Sequence, residues 1–84
     1  MEHRTENITD RLARCFVTVF PELSPAQART ATVASVATWD SVASLSLIAI
    51  VEEEFGVTID YDSVEQLSSF DAVAAYVSER LAKA

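Results

Sequence analysis

Apolar side chains recur along this chain at steps of three and four residues, the spacing that gathers them on one face of an α-helix. In the first block Ile8, Leu12, Cys15, Phe16, Val19 and Leu23 follow one another at intervals of four, three, one, three and four. Pro21 stops that helix near Phe20, because its ring removes a backbone donor and restricts the residue before it. Asn7 or Thr5 offers a cap at its start. Residues 41–55 form a second such block, ended by Gly56, the only glycine in the chain. At 100° per residue, Leu47, Ile48, Val51 and Phe55 fall on one side, with Val42, Leu45 and Ala49 on an adjoining stripe. A helix apolar around so much of its circumference is either central or presents a docking strip. The third block is Phe70, Val73, Ala74, Val77 and Leu81, with Arg80 and Lys83 suited to the negative end of its dipole. Ser68-x-x-Asp71 resembles a capping box at its start.

Between the blocks the pattern is weaker. Residues 21–40 form a long connection in which Ser24-Pro25 opens a single capped helical turn, with Val33 and Val36 expected to pin the rest to the core. Connections of that length in so small a chain are often functional. Val57-Thr58-Ile59 alternates too briefly for a strand, while residues 61–67 fit one or two helical turns holding Tyr61, Val64 and Leu67. The fold expected is all-α: three main helices, one short helix and a long first loop.

The 84 residues, half of them apolar, make a single domain over 1–84. A chain this short buries only roughly 60–65% of its unfolded surface, leaving little room for an enclosed active site. Thirteen acids against six bases give a net charge of −7, and residues 40–79 hold nine acids with no Lys or Arg. Nucleic-acid binding needs a basic footprint and is not expected. A coherent acidic half steers basic partner surfaces or simply solvates the chain. No window approaches the ~20 apolar residues of a membrane span, and Met1-Glu2-His3-Arg4 opens no signal sequence, so a cytoplasmic protein is expected. The starting Met and the fit of one domain to the whole length suggest a free-standing monomer. Cys15 sits on the apolar face of the first helix and reads as core; the single histidine, His3, has no nearby Cys partner, so no metal site is expected. Asp60-x-Asp62 fails as a calcium loop, since Glu65 stands where glycine is required.

The informative stretch is Trp39-Asp40-Ser41-Val42, where the long loop meets the second main helix. A serine there lies at the positive end of a helix dipole beside unpaired N–H groups, a favourable seat for a phosphate ester. On position alone the better reading is that Asp40 or Ser41 simply caps the helix. The run Asp40-Ser41-Val42, Leu45, Leu47, Val51, Glu52-Glu53-Glu54-Phe55-Gly56-Val57 and Ile59 resembles the acyl carrier protein family, without a gap over positions 40–59. In that family Asp-Ser-Leu opens the second helix and Glu-Glu-x-Phe-Gly ends it.

The resemblance implies a four-helix carrier bundle in which Ser41 bears 4′-phosphopantetheine, attached by a separate transferase from coenzyme A. The arm's thiol would hold acyl, aminoacyl or peptidyl groups as thioesters for loading and processing enzymes, while the protein catalyses nothing. Asp40 would offer a charge to a basic transferase, and Val42, Leu45, Ala49, Glu52 and Glu53 would dock partners. The chain departs from the family at Val42, at Thr38-Trp39 where many members have Gly-x, and at Ala43 and Ser46 where fatty-acid carriers have acids. Trp39 shields the anchor or packs the loop. The missing acids point to a specialised pathway of polyketide or nonribosomal-peptide type. Ala49, Ala74 and Ala75 either leave space for cargo between helices or allow close packing. The competing reading is an acidic helical interaction module with Ser41 unmodified.

Overall fold

The computed structural model describes residues 7–83, so Thr5 and His3 lie outside the described residues. The order of elements is α1 (Ile8–Val19), α2 (Pro25–Ala28), α3 (Ser41–Phe55), a 3₁₀ helix (Tyr61–Gln66) and α4 (Phe70–Lys83). Among the described residues there is no strand, only one isolated antiparallel bridge between Thr32 and Ser69. None of the helices in this stretch is long and apolar enough to cross a membrane.

Local chemistry sets the ends. Asn7 caps α1, its side-chain oxygen accepting the Asp10 N–H at 2.9 Å, and Phe20 closes it by donating to the Phe16 carbonyl at 2.7 Å. Ser24 and Gln27 exchange bonds of 3.1 and 2.8 Å as a full capping box around Pro25. Gly56 ends α3 at φ 67°, a left-handed turn that glycine adopts without strain. At α4 the cap is Ser69, not the Ser68-x-x-Asp71 box: Ser69 Oγ accepts the Ala72 N–H at 3.0 Å. Ser68 serves the loop instead, its carbonyl accepting the Val33 N–H at 2.9 Å, while the Phe70 N–H donates to Ala31 at 2.9 Å. Those two bonds stitch the long connection to the head of α4.

The centre of packing is α1, against which α2, α3 and α4 all lie. Its Leu12, Ala13, Cys15 and Phe16 are buried, and the Phe16 ring meets Trp39, Phe70 and Phe20 at 5.3, 5.0 and 6.2 Å. From α3 only Leu47, Val51 and Phe55 are fully buried, so this helix is one wall of the core and not its centre. Phe70, Val73 and Val77 of α4 close the opposite side. Every buried side chain among the described residues is hydrophobic.

Polar ties sit around this core. Arg11 joins α1 to the end of α3, with Nε 2.9 Å from Glu54 Oε2, Nη2 2.7 Å from the Glu54 carbonyl and its guanidinium 4.6 Å above Phe55. The extended stretch after Gly56 is held by Glu52, whose carboxylate accepts the Ile59 N–H at 2.8 Å. Arg80 does more than complement a dipole: it bonds Asp60 at 2.8 Å and the Tyr76 hydroxyl at 2.7 Å.

Two expected core positions, Val33 and Tyr61, are on the surface. Val33 is exposed, and the connection is pinned by Val36 together with Ala28, Ala31 and Trp39. Tyr61 is 78% exposed and Val64 half-buried, and the segment is anchored in the core by Leu67, just past the 3₁₀ helix. Ala49 is exposed, Ala75 lines a shallow open hollow beside Leu67 and Tyr76, and half-buried Ala74 packs against the core.

Candidate functional site

The junction of the long loop with α3 builds the site. Asp40 is extended, at φ −109° and ψ −171°, and its Oδ1 accepts the Ala43 N–H at 2.8 Å while its carbonyl accepts the Ser44 N–H at 2.9 Å. Asp40 is therefore the cap. Ser41, the first residue of α3, is exposed, and its hydroxyl has no hydrogen-bond partner among the described residues. A free hydroxyl at a helix N-terminus, in a first turn with no acidic side chain of its own, suits an attached phosphate.

Trp39 packs the loop and does not shield the anchor. It is 3% exposed, with its ring edge-on to Phe16 at 5.3 Å and tilted to Phe20 at 5.6 Å. Its indole N–H donates to Ser44 Oγ at 2.9 Å, across the cap. One residue earlier, Thr38 Oγ1 donates to Glu22 at 2.5 Å, and this bond holds the Glu22 carboxyl below its ordinary range. The loop thus arrives at Asp40 fixed from two sides.

Beside Ser41 an open cleft of about 680 Å³ runs between the head of α3 and the 3₁₀ helix. Val33, Leu45, Val64 and Leu67 form its apolar walls, and Tyr61, Asp62 and Glu65 its outer rim. Three of the exposed large hydrophobics, Val33, Leu45 and Tyr61, belong to this one cleft, and the fourth, Val42, adjoins Ser41.

The expected docking positions divide. Val42 at 73% and Leu45 at 49% are exposed, as is Ala49, so the apolar strip lies on the surface. Glu53 is exposed as well. Glu52 is not a free surface charge: it is half-buried and engaged with Ile59, as Glu54 is with Arg11. Sequence spacing treats the three glutamates alike, whereas the helix turns each toward a different neighbour. Val33, Val64 and Ser44 were not foreseen at the site. Ser44 alone left a signal, a hydroxyl five residues past a tryptophan across a helix start.

Other groups are inert by placement. Cys15 is buried, and burial, reinforced by the nearby charge of Glu54, pushes its thiol up to about 11. No group of three or more His, Cys, Asp or Glu is placed to hold a metal ion among the described residues. No protein-family model matches the chain, and no curated protein does either.

Proposed function

We propose that the protein is an acyl-carrier-type bundle, a carrier that tethers intermediates on 4′-phosphopantetheine at Ser41 and leaves catalysis to partner enzymes. The observation that carries this reading is the division of labour at the head of α3: Asp40 caps the helix, and the Ser41 hydroxyl stands exposed and uncommitted. A bulky phosphodiester at that oxygen disturbs no bond of the fold. The group supplies a thiol on which acyl, aminoacyl or peptidyl cargo is held as a thioester.

The chain's own residues supply the anchor and the address. The α3 N-terminus favours the phosphate's charge, and Asp40, itself anionic, faces a basic transferase without bonding the phosphate. Val42, Leu45 and Ala49 form the apolar strip for loading and processing enzymes, with Glu53 as the exposed acid farther along. Near the head of α3, Ala43 and Ser46 offer partners no charge. That favours partners of a specialised polyketide or nonribosomal-peptide type, and efficient turnover by fatty-acid elongation enzymes would contradict it.

Intact-mass measurement after incubation with coenzyme A and a broad-specificity phosphopantetheinyl transferase tests the carrier role. One added phosphopantetheine is expected, lost in Ser41→Ala. That variant removes an exposed, unbonded hydroxyl and should change stability by less than about 0.5 kcal/mol. An unchanged wild-type mass leaves the acidic interaction module, with Ser41 bare, as the better account.

A further inference from the structure

The first turn of α3 is poorly held by packing. Its first fully buried side chain is Leu47, six residues past Ser41, which is about 9 Å along the axis. Before Leu47 only the half-buried Ala43 packs against the core, while Val42 and Leu45 are exposed. Among the described residues, side-chain hydrogen bonds reach positions 41–46 from two places only, the Asp40 cap and the Trp39 indole. The cap is local, since Asp40 is exposed and travels with the turn. Trp39 is different. Its ring is wedged against Phe16 and Phe20, so its bond to Ser44 ties the turn to α1 and the body of the protein.

We infer that the Trp39–Ser44 hydrogen bond is a positioning latch, which fixes the first turn of α3, and with it the Ser41 hydroxyl, relative to the body of the protein that a docked transferase grips. The inference rests on the carrier reading. Transfer to a hydroxyl requires it within a narrow range of distance and angle, so freedom of this turn lowers the rate of the chemical step. Docking by the apolar strip, whose Val42 and Leu45 share the latched turn and whose Ala49 lies beyond it, tolerates small shifts that the reacting hydroxyl does not. Trp39 and Ser44 are thus positioning residues, and their effect falls more heavily on kcat than on KM.

The test uses the full chain, coenzyme A and a phosphopantetheinyl transferase, at a temperature well below the unfolding transition of every variant. Trp39→Phe keeps an aromatic ring in the cluster but has no donor, and Ser44→Ala removes the acceptor from a half-buried site without disturbing the core. Each is expected to lower kcat by about three- to tenfold, the effect of one hydrogen bond. The double variant should be no slower than the slower single, because both remove the same bond. Ser44→Thr restores a hydroxyl and should return kcat to within about twofold of wild type. Amide exchange at Ala43 and Ser44 should quicken in Ser44→Ala while Val51 and Phe55 stay protected. If wild type gains no mass, the carrier reading fails. If wild type is modified and both single variants match its kcat, or if exchange at Ala43 and Ser44 is unaltered, the latch is refuted and the carrier reading stands.

Discussion

Gly56 and Cys15 show how much one position can constrain. Gly56 holds φ 67° with nothing within 4 Å of where a Cβ would stand, so a side chain there meets backbone strain and no clash. Gly56→Ala should lower stability by about 1 kcal/mol, read as a reduced denaturant midpoint at unchanged slope. Cys15 makes a pH prediction of definite sign. Its thiol ionises near 9.0 when unfolded and at about 11 in the fold, so the folded state favours the neutral form. The associated stability is fully present below pH 9 and is lost as pH rises from 9.0 to 11, after which the slope vanishes. The loss is on the order of 2–3 kcal/mol. Chemical denaturation of wild type against Cys15→Ala across that range isolates it: the variant should lack this component of the decline, and parallel curves would remove the assignment.

Within one helix, neighbours can differ completely in what they contribute. Leu45 and Leu47 lie two residues apart on α3, the first 49% exposed at the cleft and the second 1% exposed in the core. Leu47→Ala should cost about 2–5 kcal/mol, and Leu45→Ala less than about 1 kcal/mol. If Leu45 also contacts partners, its variant should weaken partner binding while melting near the wild-type temperature. Periodicity placed Leu47, Val51 and Phe55 inside because a 3.6-residue repeat needs no tertiary information. The bounds of α1 and α3 were legible for the same reason, being written by Asn7, Pro21 and Gly56. What stayed hidden depends on neighbours distant in sequence. Ser68 and Ser69 are equally good caps locally, and Ser69 takes the role because α4 begins at Phe70, where the bonds of Ser68 and Phe70 to the 30s loop hold the chain. Tyr61 and Val64 both fit a helical turn, but the 3₁₀ geometry exposes the first. At the site the Asp40-Ser41 pair was readable as two possible caps, and only the Asp40–Ala43 bond frees the serine. The role of Trp39 required knowing that Phe16 and Phe20 stand beneath it.

Charge acts over the molecule as a whole. Nine acids fill residues 40–79, where Lys and Arg are absent, and relief comes from outside that stretch, through Arg11 to Glu54, Arg80 to Asp60 and Lys83 to Glu79. All three pairs are partly or largely solvated and worth little individually. Repulsion among the remaining acids should therefore outweigh them, so raising salt from about 0.01 M to 0.3 M is expected to stabilise the fold. A gain of about 1 kcal/mol would raise Tm by roughly 4–8 °C in thermal unfolding. A lower Tm in salt would show that the attractive pairs dominate. Packing has its own global consequence, set by α1 as the common partner of the other α-helices. Without residues 8–19 the later helices have only each other's edges to cover, and without α4 the first helix keeps a bare flank. Hence no shorter stretch is a miniature of the whole: cutting either end should yield an unstructured peptide, and the two halves, mixed, should regain helicity only together.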